Sequence, residues 1–290
     1  MTAADPAPEA AAGADVGRPP GQAARPRSLV AAVGAGLALG AIVVVTLLLG
    51  RLAFFALILA AVLIAQLELY GVLRKAGFAP ATLLGLACGA VAMIVTYKRG
   101  APGLALGTVL PLPLLLAWAL TVPAEKVRAT ITSTYLGVVY GPVLVGFGIL
   151  LLRGRDGLFL TPTIIGMAAI NDSGGYLVGR KLGRHPMAPR TSPKKSWEGF
   201  VAGTIITFAL PIAVLPFIHP FTVGLVLRLA AVVAIAAPLG DLAESLLKRD
   251  LGVKDMGTLI PGHGGFFDRI DGIIFSIPLA YYALRVLKWA

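Results

Sequence analysis

An all-α, polytopic membrane protein is what the sequence predicts, on three observations. Hydrophobic residues make up 57% of the 290-residue chain and charged residues 13%, where soluble proteins carry roughly 25% charged residues. Apolar runs recur that are long enough to cross about 30 Å of hydrocarbon as helices. These runs do not alternate apolar with polar residues, which argues against a membrane β-barrel. Charge-free stretches of this length equally argue against a soluble protein built from buried helices.

Residues 1–28 are rich in Ala, Pro and Gly without a hydrophobic period, a composition that cannot bury enough surface to fold and reads as a disordered tail. About nine spans are expected after it: 29–49, 52–73, 81–97, 101–120, 134–152, 158–178, 199–217, 222–247 and 270–288. The first run starts late, has full span length and continues into a second, unlike a cleaved signal peptide. Gly50-Arg51 makes a tight first hairpin. Pro111 and Pro113 should bend the fourth span, and Pro211 and Pro216 the seventh, with neighbouring helices satisfying the freed carbonyls. The chain thus divides into a tail (1–28), N-terminal membrane helices (29–152) and a C-terminal region (153–290) that holds nearly all the chemistry.

The formal net charge is +11. In a membrane protein such an excess reflects cytoplasmic loops, anionic lipid or an anionic substrate. No basic stretch outside the membrane is long enough to fold into a nucleic-acid-binding domain, so no nucleic-acid partner is expected. Seventeen Lys and Arg fall on the tail and even-numbered loops against seven on the opposite side. That asymmetry places the N-terminus in the cytosol, together with the two polar loops around 179–198 and 248–269. The single cysteine, Cys88, lies in an apolar run, and the three histidines are scattered. Neither a disulfide framework nor a Cys/His metal site is expected.

The stretch 241–271 holds six of the fourteen acids. Asp241, Glu244, Ser245 and Lys248 fall at i, i+3, i+4 and i+7, on one helix face. A loop follows in which Gly262, Gly264 and Gly265 permit close approach of a ligand or positive φ. Asp268, Arg269 and Asp271 then stand at the mouth of the last apolar run. Acids on two helix ends facing a Gly-rich basic loop suit a divalent cation holding a polyphosphate. His263 is loop chemistry, able to donate to a phosphate or to brace the loop.

Upstream, Asn171-Asp172-Ser173-Gly174-Gly175 ends the sixth span. An ionisable residue there is a functional candidate, and its small neighbours admit a helix or a ligand; the alternative is an acid resting at the interface. The loop after it is basic and broken by Pro186, Pro189 and Pro193. Lys194 and Lys195 could clamp a phosphate there, or serve topology alone. Glu68, near the inner end of the second span, reads as a snorkelling or helix-pairing acid.

Taken together, Ser245-x-x-Lys248-Arg249, Lys254-Asp255, Pro261-x-His263-Gly264-Gly265 and Asp268-Arg269-x-Asp271 resemble the C-terminal motif of phosphatidate cytidylyltransferases, the bacterial CDP-diacylglycerol synthases. Asn171 to Gly174 and Ser192-Pro193-Lys194-Lys195-Ser196-x-Glu198-Gly199 are similar to the same family. The likeness is strong over 165–290. It implies a dimeric multi-pass enzyme of the bacterial plasma membrane, its site a polar cavity facing the cytosol, that converts CTP and phosphatidate to CDP-diacylglycerol and diphosphate with Mg²⁺, a second cation being left open. The family's metal-binding acids carry over onto Asp241 and Asp268. Ser245 and Lys248 join these two as candidate catalytic residues. Asp172, Lys194, Lys195, Arg249, Lys254, His263, Gly264, Gly265 and Arg269 are the substrate-binding candidates.

Two other enzyme classes use similar parts. A membrane lipid kinase would attack a γ-phosphorus, and the motif speaks against it. The aspartate spacing of CDP-alcohol phosphotransferases is absent. An anion transporter would carry polar residues on both faces and a midplane site, whereas the charges here gather at the cytoplasmic ends.

Overall fold

The computed structural model describes residues 29–257 and 265–286. The tail at 1–28 and the candidates His263 and Gly264 lie outside the described residues. Within them the chain forms eleven α-helices and one two-stranded hairpin. The helices are α1 (Leu29–Leu48), α2 (Arg51–Lys75), α3 (Thr82–Arg99), α4 (Ala101–Val109), α5 (Pro111–Ala119), α6 (Ala124–Val138), α7 (Leu144–Leu152) and α8 (Gly157–Leu182), then α9 (Trp197–Val214), α10 (Val223–Asp250) and α11 (Asp271–Val286). Strands β1 (Pro186–Ala188) and β2 (Ser192–Ser196) pair antiparallel between α8 and α9.

Six stretches are long and apolar enough to cross a membrane: Arg51–Lys75, Thr82–Arg99, Ala101–Ala119, Ala124–Leu152, Trp197–Phe217 and Val223–Asp250. They coincide with six of the nine expected spans. The other three fall on α1, α8 and α11. Helix α8 is 26 residues long, and Asn171 and Asp172 dilute its apolar character.

Local sequence explains the breaks. Gly50 takes a φ of 99°, a left-handed value, and turns α1 into α2 within two residues. The expected fourth span divides at Leu110 into α4 and α5 because Pro111, at the start of α5, has no N–H to continue the ladder. The expected fifth span begins ten residues earlier, at Ala124, and runs through a π-turn at Val139–Val143 containing Pro142. In the expected seventh span Pro211 is carried inside α9, and Pro216 lies in a final 3₁₀ turn.

One hydrophobic core runs through both 29–152 and 153–290, from Phe54 and Leu69 on α2 to Ile274 and Leu284 on α11. Beside it, Gln66 Nε2 donates to Tyr70 Oη and to the Gly85 carbonyl, both at 2.9 Å, and Tyr70 Oη donates to the Thr134 carbonyl at 2.8 Å. These buried bonds lock α2, α3 and α6 together.

Helices α8 and α9 meet along glycines. A Cβ at Gly203 would stand 2.8 Å from the Asn171 carbonyl, and one at Gly175 would stand 3.2 Å from the Gly199 carbonyl. The spacing of Asn171, Gly175 and Gly179 against Gly199, Gly203 and Thr207 is the four-residue repeat that lets membrane helices touch backbone to backbone. Asn171 Nδ2 seals one end, donating to Thr207 Oγ1 at 3.0 Å. The small residues beside Asp172 therefore admit a helix. Gly203→Leu is expected to separate the pair and to cost about 1–3 kcal/mol or more, read as a lower thermal unfolding temperature in detergent.

Candidate active site

The described residues of both polar loops occupy one end of the helix bundle. Arg249 at the end of α10 donates through Nε to the Thr191 carbonyl of the hairpin at 3.0 Å. Lys195 on β2 forms an ion pair with Asp241 on α10. At the hairpin's base Glu198 accepts from the Arg184 and His185 amides and pairs with His185 Nδ1 at 2.5 Å. The opposite end carries Arg51, whose guanidinium donates to the Arg155 carbonyl at 2.9 Å, and Arg153, which donates to the Tyr97 carbonyl.

Close packing of α10 on α11 builds the centre. A Cβ at Gly240 would lie 2.5 Å from the Asp271 carbonyl, and one at Gly272 would lie 3.2 Å from the Ala237 carbonyl. The acids next to these glycines, Asp241 and Asp271, are thereby brought together, with Glu244 one turn along α10. Each offers a carboxylate oxygen, and the three oxygens lie within 4.8 Å of one another. Glu244 is fully buried, and its Oε1 has no hydrogen-bond partner. Ser245 Oγ stands 3.4 Å from Asp241 Oδ1. Asp172 lies within electrostatic reach of Asp241, Lys195 and Arg269.

Asp268 faces a different set of partners. Lys248 Nζ bridges Glu244 Oε2 and Asp268 Oδ1, both at 2.8 Å. The amides of Gly265 and Met256 donate to Asp268 Oδ2 at 2.9 and 3.0 Å. Burial works against its charge, yet these hydrogen bonds, led by that of Lys248, hold the carboxyl below the usual carboxylate range. Its ionised form thus contributes stability at neutral pH, and that contribution is lost as the pH falls through the lowered value.

The sequence-predicted candidates therefore separate into groups. Asp241, Asp172, Lys195 and Arg269 converge with Glu244 and Asp271, two acids that were not among the candidates. Asp268, Lys248 and Gly265 form an adjoining layer. Lys194 and Lys254 are exposed, and Arg249 holds the hairpin.

One further residue, Tyr140, escaped the sequence reading, and Glu68 takes the pairing role of its two readings. Tyr140 sits in the π-turn with its ring 5.2 Å from Phe267 and 6.3 Å from Phe275. Its hydroxyl is buried without a partner, within electrostatic reach of Glu244, Asp271 and Asp241. A π-turn often marks a working position, but its sequence, Val-Tyr-Gly-Pro-Val, carries no period that announces it. Glu68 does not snorkel: Oε2 accepts the Phe267 amide at 2.8 Å, and Oε1 is buried.

The donor set is all oxygen and mostly anionic, the chemistry that suits a hard divalent cation. An unpartnered carboxylate oxygen in the middle of it fits a cation better than it fits a self-contained ion pair.

Comparison with known proteins places the chain in a family. A profile of the Cytidylyltransferase family matches residues 30–287. The phosphatidate cytidylyltransferase of Mycobacterium bovis is 33% identical over 274 residues, covering 90% of each chain. That of Mycobacterium leprae is 31% identical over 277 residues, covering 90% of this chain and 89% of its own. The Haemophilus influenzae phosphatidate cytidylyltransferase is 42% identical over 132 residues, 43% of this chain and 46% of its own. With a profile match across nearly its whole length and full-length relatives above 30% identity, the chain belongs to the cytidylyltransferase family.

Proposed function

We propose that the chain is a phosphatidate cytidylyltransferase of the bacterial plasma membrane, forming CDP-diacylglycerol and diphosphate from CTP and phosphatidate. The observation that carries the site assignment is the cluster of Asp241, Glu244 and Asp271, flanked by Lys195, Lys248 and Arg269, at one end of a membrane helix bundle.

The reaction joins two anions. A phosphatidate phosphate oxygen attacks the α-phosphorus of CTP, the new P–O bond forms in line with the α–β bridge, and diphosphate leaves with the electrons of that bridge. The lipid phosphate is already ionised near neutral pH, so no side chain has to become a nucleophile. Charge repulsion and positioning are what the residues must manage. Lys195 and Arg269 supply positive charge next to the acids. Ser245 orients its neighbour Asp241. Lys248 holds Asp268 and Glu244 in register.

Asp241, Asp271 and Glu244 would hold Mg²⁺, a second cation being left open. When bound, it supplies charge neutralisation and orientation of the triphosphate. Asp268, expected beside Asp241 as a ligand, takes the role of anchoring Lys248 and the loop amides. The nine spans, the cytosolic N-terminus, the polar cavity opening to the cytosol and a homodimer complete the reading. The charge asymmetry supports the orientation, and the family supports the dimer.

The test is incorporation of labelled CTP into chloroform-soluble lipid by purified protein in detergent with added phosphatidate. Incorporation should stop with EDTA and return with Mg²⁺. A protein that needs a sealed vesicle, or that labels lipid from the γ-position of CTP, would refute the assignment.

The two lysines of β2 separate in the structure, which sharpens a kinetic expectation. Lys195 faces Asp241 while Lys194 is exposed on a loop at the membrane surface, placed to meet a lipid phosphate arriving from the bilayer. Lys194→Gln should raise the KM for phosphatidate several-fold with little effect on that for CTP. Lys195→Gln should lower kcat. A selective rise in the CTP KM from Lys194→Gln would reverse the assignment of substrates to this strand.

A further inference from the structure

We propose that Glu68 of α2 is a positioning residue for cytidylyl transfer, setting the 265–268 segment so that Asp268 reaches Lys248 beside the acid cluster. The inference rests on that cluster being the active site.

Glu68 is the sole acid between residues 29 and 119. A carboxylate within an apolar helix is costly unless it is paired or wet. It has no cationic partner among the described salt bridges. One oxygen accepts the Phe267 amide at 2.8 Å, 199 residues away in the chain, and the other is buried without a partner. A single backbone hydrogen bond returns about 1 kcal/mol net, too little to make Glu68 a worthwhile stabilising element at this depth. Its geometry accounts for it better.

Two carboxylates divide the amides of one short segment between them. Asp268 takes those of Met256 and Gly265, and Glu68 takes that of Phe267, between Gly265 and Asp268. Glycines line the space they share. A Cβ at Gly265 would stand 2.9 Å from Asp268 Oδ2 and 3.0 Å from Glu68 Oε2, and one at Gly257 would stand 2.6 Å from Glu68 Cδ. Phe267 is fully buried with its ring on Tyr140, so the segment is fixed on its apolar side as well. Releasing the Phe267 amide removes a polar tie between α2 and this segment and frees the residue preceding Asp268 to shift. Displacements of about 1 Å near reacting groups reduce rate by as much as 10²-fold.

The experiment compares Glu68→Met, which keeps the volume but removes the acceptor, with Glu68→Gln, whose carbonyl can still accept from Phe267. Gln66→Leu serves as a structural control on the same helix. Glu68→Met should lower kcat per folded molecule at least tenfold, leave both KM values within threefold, and accelerate amide exchange at Phe267. Glu68→Gln should retain at least half of the parental kcat. Gln66→Leu should lower the unfolding temperature with kcat per folded molecule within twofold of the parent. Equal losses in Glu68→Met and Glu68→Gln, or a parental kcat in Glu68→Met, would overturn the proposal. If Glu68→Met is not recovered folded, Gly265→Ala probes the same contact from the loop, and parental kcat there also overturns it. Asp241→Asn, assayed alongside, keeps the two ideas apart. Full activity in that variant with a tenfold loss in Glu68→Met removes the site assignment while leaving Glu68 necessary for turnover. An inactive Asp241→Asn with a parental Glu68→Met removes the positioning role alone.

Discussion

Asp241→Asn and Asp271→Asn are each expected to lower kcat by on the order of 10³-fold, the scale at which losing a charge-stabilising group or metal ligand is felt, while the protein stays folded in the membrane. The expectation follows from the crossing of α10 and α11, where Gly240 and Gly272 bring these two carboxylates and Glu244 to within 4.8 Å. An amide keeps the size and one acceptor oxygen but not the charge. Removing one of three crowded acids also relieves like-charge repulsion, so the unfolding temperature should hold or rise. That sign separates a functional acid from a structural one. Activity is measured as Mg²⁺-dependent CDP-lipid formation and stability as thermal unfolding in the same detergent. Near-parental turnover in either variant would remove that residue from the site.

Lys248→Met should do the opposite, losing stability and activity together. Lys248 is the shared cation of Glu244 and Asp268, and Glu244 is completely buried. Truncating one member of such a set leaves the others as uncompensated buried charges, at a cost of about 3–5 kcal/mol. For a chain of this size the loss corresponds to roughly a 5–8 °C fall in unfolding temperature. A hydrophobic replacement of the right length should not hide the effect, because it packs but does not neutralise. A Lys248→Met protein as stable as the parent would mean that Glu244 and Asp268 are accommodated without the ammonium.

How much of this was legible in the sequence depends on the range of the signal. The shared face of Asp241, Glu244, Ser245 and Lys248 follows from helix geometry and is present in α10. The apolar runs give most helices, and Gly50, Pro111 and Pro216 give turns or breaks where expected. The pairing across helices was hidden. Asp271, not Asp268, stands next to Asp241, because a crossing point is set by which small residues meet. The mirrored dipeptides Gly240-Asp241 and Asp271-Gly272 were the available clue. The extension of α6 back to Ala124 was missed because Glu125, Lys126 and Arg128 on its first turns look like loop. Glu68 was legible as a snorkelling or pairing acid but its partner was not, since that partner is a backbone amide 199 residues away and amides leave no trace in a sequence.

The glycine contact between α8 and α9 has a mechanical consequence. Where two backbones touch directly, no rotamers lie between them that could rearrange, so α8, the hairpin and α9 behave as one stiff lever. Its tip is fastened to α10 by the Lys195–Asp241 pair and the bond from Arg249 to the Thr191 carbonyl. Both are polar, and both reach the end of the bundle where water and lipid headgroups meet. A phosphate brought near Lys195 and Arg249 would compete with Asp241 and the Thr191 carbonyl for these two cations, so these are the fastenings that substrate charge would meet first.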